Sequence, residues 1–203
     1  MGAESSPESP TNLAPDLGLG ERPSTPAGDE RVEVIDDQGR VTGVVTRTEM
    51  RQRALGHRCT YIFVLQDFPE GGQTSTQLVV HRRADWKDIY PGYWDVAFGG
   101  VCGVGESWVE SASRELAEEA GISGLDLIDL GESRYYEGSA LILGRIFVAC
   151  WNGPLDVDDG DAGEVAEVTR VPTETLASWV AGRLVCPDSR AALLKVTAWL
   201  SQG

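Results

Sequence analysis

A chain of 203 residues, 41% hydrophobic and 24% charged, has the size and composition of one soluble globular domain with room for an appended tail. Thirty-two acidic against 17 basic residues leave a formal charge of −15, which excludes a surface built to hold a nucleic acid polymer, because affinity for the phosphate backbone comes from basic charge. The best apolar stretch, 140–151, is too short to span a bilayer and contains Arg145, and the N-terminus has no basic start followed by an apolar run, so a cytoplasmic protein with no membrane partner is expected.

Residues 1–30 hold five of the ten prolines, six acids, one arginine and no aromatic side chain. Such a segment cannot bury enough apolar surface to offset its ordering entropy, and it is expected to be a disordered acidic tail ahead of a domain over 31–203. Strand-forming runs at 31–35 and 40–47 flank the turn Asp36-Asp37-Gln38-Gly39, and 48–55 reads as a short helix. Stronger strands follow at 59–67 and 77–82, separated by the Gly71-Gly72 loop. Beyond Pro91-Gly92, a short strand at 94–98 stops at Gly99-Gly100. The segment 107–120 has helical periodicity, with Val109, Ala112, Leu116 and Ala120 on one face and Gly121 placed for a C-terminal cap. Strands at 125–136 and 140–151 turn at Glu137-Gly138, another strand covers 164–171, and helices are expected at 173–181 and 188–201. Without a regular βαβ repeat, this mixture predicts an α+β or α/β fold with a mixed sheet covered by helices. Cys59, Cys102, Cys150 and Cys186 show no pairing or metal spacing and read as reduced thiols.

The chemistry concentrates in 100–122, GVCGVGESWVESASRELAEEAGI. Glu115, Glu118 and Glu119 stand at i, i+3 and i+4, so a helix places all three carboxylates on one face. Their mutual repulsion is relieved locally by Arg114 alone, one turn from Glu118; a divalent cation relieves it better, and oxygen ligands suit Mg²⁺ or Mn²⁺. A solvated acidic face is the plain alternative. The glycines Gly99, Gly100, Gly103 and Gly105 leave a bare loop facing that helix, and Glu106 adds a fourth acid. Mg²⁺ commonly binds through a few carboxylates plus substrate phosphates, so a diphosphate fits such a loop.

These residues resemble the Nudix box of the Nudix hydrolase superfamily at every fixed position: Gly100, Glu106, Arg114, Glu115, Leu116, Glu118, Glu119, Gly121 and Ile122. The resemblance implies a Nudix-like α/β/α sandwich and metal-dependent hydrolysis of a diphosphate linkage in a nucleoside diphosphate derivative or similar small compound. It implies Glu115, Glu118 and Glu119 as metal ligands with a backbone carbonyl at Gly99 or Gly100, and Arg114 orienting the glutamates. Glu118 is alternatively the base that takes the proton of water, Glu164 and Glu167 are the other candidate bases, and Glu118 and Glu119 rank ahead of Glu164 and Glu167 for effect on rate. Arg82-Arg83, Lys87, Pro91-Gly92 and Trp94-Asp95, preceded by His57-Arg58, resemble the subgroup near isopentenyl-diphosphate isomerases. There Arg82, Arg83 and Lys87 are implied as diphosphate-binding residues, consistent with a basic cluster in an acidic chain. The isomerase's catalytic cysteine has no counterpart in Phe98-Gly99-Gly100-Val101, which disfavours isomerisation. A Nudix domain that only binds a ligand is the other alternative; the intact set of acids favours catalysis.

Overall fold

The computed structural model describes residues 28–70, 73–157 and 163–202. One mixed sheet organises them. Its spine is β3 (Gly56–Glu70), which runs parallel to β7 (Ala140–Cys150) and antiparallel to β4 (Gln73–Arg83). Beyond β7 lies β6 (Ile128–Glu137), and β4 pairs with both β5 (Trp94–Asp95) and β8 (Val165–Pro172). The hairpin β1 (Arg31–Ile35) and β2 (Val41–Thr46) joins β3 at its first residues, followed in the chain by α1 (Arg47–Gln52).

Side chains along β3 alternate between two cores, as the pleat requires. Ile62 and Val64 face α2 (Trp108–Ala120) together with Phe98, Phe147, Ala112, Leu116 and Ala120. Tyr61, Phe63 and Leu65 face the other side, where α3 (Leu176–Ala181) and α4 (Pro187–Leu200) contribute Leu176, Val180, Leu193 and Val196. Burial on both faces explains why β3 and β7 read as nearly continuous apolar runs. The result is the expected α/β/α sandwich with a mixed sheet.

Several boundaries move. The β3–β4 pairing continues past the expected strand ends, through Phe68–Glu70 and Gln73–Thr76, because backbone pairing does not need apolar side chains. The strand expected at 94–98 is confined to Trp94–Asp95, and Phe98 makes only an isolated bridge to Ile62. The helix expected at 173–181 divides into a 3₁₀ turn, Thr173–Thr175, and α3. Gly28 to Glu30 fall in the expected tail yet pack on α1: the Thr48 hydroxyl donates to the Gly28 carbonyl at 2.9 Å, and the Arg47 amide donates to that of Glu30 at 2.8 Å. The remainder of that tail lies outside the described residues. Val109, expected in the apolar stripe of α2, is 56% exposed; Trp108 takes the place at the edge of that core.

His81 is 4% exposed and stacks on Phe98 with ring centroids 4.8 Å apart. Burial disfavours the imidazolium and lowers its pKa from 6.5 to about 4. The unfolded chain therefore binds a proton before the folded one does. Stability contributed by neutral His81 is complete above about pH 6.5 and is lost as pH falls toward 4, by on the order of 3 kcal/mol in all. Urea unfolding of His81→Leu across this interval is expected to show a shallower acid loss than wild type; parallel curves would contradict the assignment.

Candidate active site

The helix carrying the acids is fixed at both ends by its own sequence. Ser107 and Glu110 form a reciprocal capping box, and Gly121 ends the helix in the left-handed conformation at φ +68°. Ile122 then donates its amide to the Leu116 carbonyl and buries its side chain. This rigid rod sets the three glutamates into different environments. Glu115 is 7% exposed, while the Glu118 side chain is 60% exposed at the rim. Glu119 is partly buried and accepts a hydrogen bond from the Gly99 amide at 2.9 Å.

Arg114 is the hub of the outer acids. Its guanidinium makes a two-armed contact with Glu106 at 2.8 and 3.0 Å and reaches Glu115 at 2.8 Å and Glu118 at 3.1 Å. Glu106 is held below the usual carboxylate range chiefly by this arginine, and the Arg114 pKa is raised in turn. Glu106 also accepts the Gly103 amide, so it ties the bare loop to the helix. On the other side of that loop, Arg58 pairs with Glu33 at 2.9 Å, donates to the Glu106 carbonyl and lies over the Trp108 ring. Arg58 thus clamps the loop.

Glu119 is different. Among the described residues no cation stands within ion-pair distance of it, and burial together with the charge of Glu115 pushes its pKa up to about 8. Burial also raises Glu115, against the pull of Arg114. Two adjacent acids with this deficit of positive charge suit a cation, and the donors are all oxygen, as Mg²⁺ or Mn²⁺ prefers. Among the described residues no three His, Cys, Asp or Glu side chains converge into a complete cage. Gly99 lines the cavity, whereas the Gly100 carbonyl already accepts the Thr60 amide at 2.9 Å.

The cavity has a volume of about 490 Å³. Glu115, Glu118 and Glu119 form its acidic wall, and Lys87, Arg83 and Arg47 supply cations to it. Lys87 pairs with Glu164 at 2.6 Å. Burial lowers the lysine pKa; burial raises that of Glu164, but the lysine more than offsets this and leaves the acid low.

The expected site residues are thus separated, Arg82 from Arg83 along β4 and Glu164, just ahead of β8, from Glu167 on it. Arg83 and Glu164 reach the cavity; Arg82 and Glu167 do not line it. Arg82 instead contacts Asp85 at 3.0 Å and lies 3.9 Å from Glu167. Adjacent residues on a strand point to opposite faces, so the Arg82-Arg83 pair cannot act as one cluster. Conversely, Arg47 and Glu30 line the cavity and pair with each other at 3.0 Å, and no local spacing marked them.

Residues 39–188 match the NUDIX domain family. The chain is 34% identical over 164 residues to the uncharacterized Nudix hydrolase PA4841 of Pseudomonas aeruginosa, covering 81% of this chain and 91% of that relative. Among solved structures it resembles DR0079 from Deinococcus radiodurans, with a TM-score of 0.64, 21% identity and coverage of 83% of this chain and 99% of the other. It also resembles the NUDIX domain of Shewanella oneidensis NrtR complexed with ADP ribose, with a TM-score of 0.54, 15% identity and coverage of 78% and 100%. At those identities the two structures establish the fold.

Proposed function

The chain belongs to the Nudix hydrolase family, and from that premise we propose that its acidic cavity hydrolyses the phosphoanhydride of a small diphosphate compound, a nucleoside diphosphate derivative or a relative of one. The observation that carries this reading is the pairing of opposite walls: Glu115 and Glu119 lack a full complement of positive charge, and Arg47, Arg83 and Lys87 face the same space. Phosphate oxygens bind the basic wall, with guanidinium suited to their planar arrays of acceptors. Glu115, Glu119 and the Gly99 carbonyl hold Mg²⁺ or Mn²⁺, which when bound neutralises phosphate charge as it develops.

Glu118 takes the proton. It is the most exposed of the three acids and, among the described residues, its ion pair is with Arg114, so it can pass that proton on to solvent. The water oxygen forms a bond to one phosphorus, the bridging P–O bond breaks, and its electron pair leaves on the departing phosphate. Arg114 keeps Glu115 and Glu118 in place through the reaction. Glu164 is occupied by Lys87 and Glu167 stands outside the cavity, which supports ranking Glu118 ahead of both. The likeness to the isomerase subgroup is read here as shared diphosphate binding without isomerisation, because Gly99 offers no side chain for proton transfer.

Phosphate release from a panel of nucleoside diphosphates, dinucleotides, nucleotide sugars and isoprenyl diphosphates tests the reading. Arg83→Ala is expected to raise KM about tenfold or more on whichever substrate turns over, as loss of a charge-assisted contact does. Arg82→Ala is expected to stay within about twofold of wild type, because its side chain is engaged elsewhere. Equal effects of the two substitutions would refute the assignment of Arg83 to phosphate.

A further inference from the structure

The loop from Gly99 to Glu106 is rich in glycine, which gives a backbone more freedom to lose on folding than any other residue. Contacts from outside the loop must therefore fix it. At its start, the Thr60 amide donates to the Gly100 carbonyl, and the Cys102 amide donates to the Arg58 carbonyl at 3.0 Å. The end that meets α2 is held by two charged side chains, Glu33 on β1 and Arg58 on β3. One Glu33 oxygen accepts the Gly105 amide at 3.1 Å, and the other accepts the Arg58 guanidinium at 2.9 Å. The same Arg58 nitrogen donates to the Glu106 carbonyl at 2.9 Å. From the Glu106 carboxylate, contacts run on through Arg114 to Glu115 and Glu118. One unbroken series of polar contacts thus leads from β1 to the acidic wall.

Neither Glu33 nor Arg58 lines the acidic cavity, so neither touches a cation or a phosphate held there. Stability alone accounts for them poorly. Their side chains are 15% and 16% exposed, and the desolvation of such an ion pair commonly offsets most of its Coulomb attraction. The Arg58 Nε is also buried, with no hydrogen-bond partner among the described residues. That is a further cost, which an apolar pair of similar volume avoids. An apolar pair cannot, however, accept the Gly105 amide and donate to the Glu106 carbonyl. Those two contacts fix where α2 begins relative to the loop, and with it the glutamate that anchors Arg114.

On the hydrolase reading given above, we propose that Glu33 and Arg58 are positioning residues for the cation site, acting through Glu106 and Arg114 to keep Glu115 and Glu118 directed into the cavity. The relevant measurement is a titration of the full chain with Mn²⁺, read from the electron paramagnetic resonance of the free ion. It is paired with kcat and KM on whichever diphosphate turns over. Arg58→Met, Glu33→Gln and the double variant are each expected to weaken Mn²⁺ binding about tenfold through Glu115, and to lower kcat about tenfold through Glu118. KM is expected to stay within about twofold, because Arg47, Arg83 and Lys87 are untouched. The shared sign separates positioning from charge acting through space. Loss of Arg58 leaves the site more negative and loss of Glu33 leaves it less so, and charge alone would therefore shift Mn²⁺ affinity in opposite directions. Stability separates positioning from packing. Each single variant strands one charge and is expected to unfold at lower urea, whereas the double variant strands neither and is expected to recover. Its Mn²⁺ affinity is expected to stay within about twofold of the single variants, because the two residues act as one unit. Should a single variant fail to fold, the double variant carries the test. The proposal is overturned if the single substitutions shift Mn²⁺ affinity in opposite directions, if either binds as wild type does, or if the double variant regains affinity together with stability. Wild type that binds no Mn²⁺ overturns the cation reading and the positioning role with it. Mn²⁺ binding that responds as expected, without phosphate release from any diphosphate, would instead count against the hydrolase reading and leave the positioning role standing.

Discussion

Glu119→Gln is expected to lower metal-supported turnover roughly a hundredfold or more, and to make the metal-free protein more stable. The two effects have one origin. Glu119 is a partly buried acid whose pKa is pushed up to about 8, against an ordinary 4.5, because desolvation and Glu115 both oppose its charge. At neutral pH the unfolded chain releases this proton and the folded chain retains it, so the native state is penalised. The sign follows: stability from the protonated carboxyl is fully present below about pH 4.5 and is lost as pH rises toward 8. A glutamine keeps the hydrogen bond from the Gly99 amide and carries no charge. Urea unfolding in chelator is therefore expected to show the variant ahead by on the order of 2 kcal/mol at neutral pH, with the gap closing in acid. Mg²⁺ should reverse the order, because a cation bound only to the folded state stabilises wild type by mass action, about 2.7 kcal/mol at a hundred times Kd. A variant that is less stable than wild type without metal and still gains fully from Mg²⁺ would count against the assignment.

Gly99→Ala is expected to cost about 4 kcal/mol or more and to abolish activity, a far larger loss than Gly105→Ala in the same loop. Gly99 has φ +139°, and a Cβ there would lie 2.0 Å from the Thr60 carbonyl oxygen, on the backbone of the central strand. Nothing flexible can yield. Gly105 is also left-handed, at φ +72°, but open space surrounds it, so its alanine bears only the conformational penalty of about 1–2 kcal/mol. Gly100 differs again: an added Cβ would stand 2.5 Å from the Glu115 carboxylate, which can turn aside only by leaving the cation position. Gly100→Ala is therefore expected to weaken Mg²⁺ binding more than stability. Chemical unfolding of the three variants checks the series, and equal losses for Gly99 and Gly105 would refute it.

The site was readable in the sequence where its residues share one element. Glu115, Glu118 and Glu119 follow from helical spacing, and the capping residues Ser107 and Gly121 bracket the helix as their chemistry requires. A mixed sheet covered by helices was legible in the strand and helix patterns, and its arrangement as a sandwich followed from the Nudix resemblance. What spacing does not encode is which residues from distant segments meet. Glu30 and Arg47 enter the cavity through the hairpin formed by β1 and β2, and Asp188 of α4 meets its partner Tyr61 of β3 from more than a hundred residues away. Arg82 and Arg83 look equivalent until the pairing of β4 with β8 assigns them to opposite faces. Glu167 illustrates the same point, since its place on β8 directs it to Arg82 rather than to the acids. The extra length of β3 and β4 was hidden because paired arms outside the core need no apolar pattern.

The central claim is that Glu115 and Glu119 hold a cation that the hydrolysis requires. Its most direct test is phosphate release from the diphosphate panel by wild type and Glu119→Gln, each with Mg²⁺ and with chelator, alongside Arg82→Ala as a folded control. The account predicts release by wild type and Arg82→Ala in Mg²⁺ and almost none in chelator or from Glu119→Gln. Release that persists in chelator, or that Glu119→Gln supports at the wild-type rate, would contradict it.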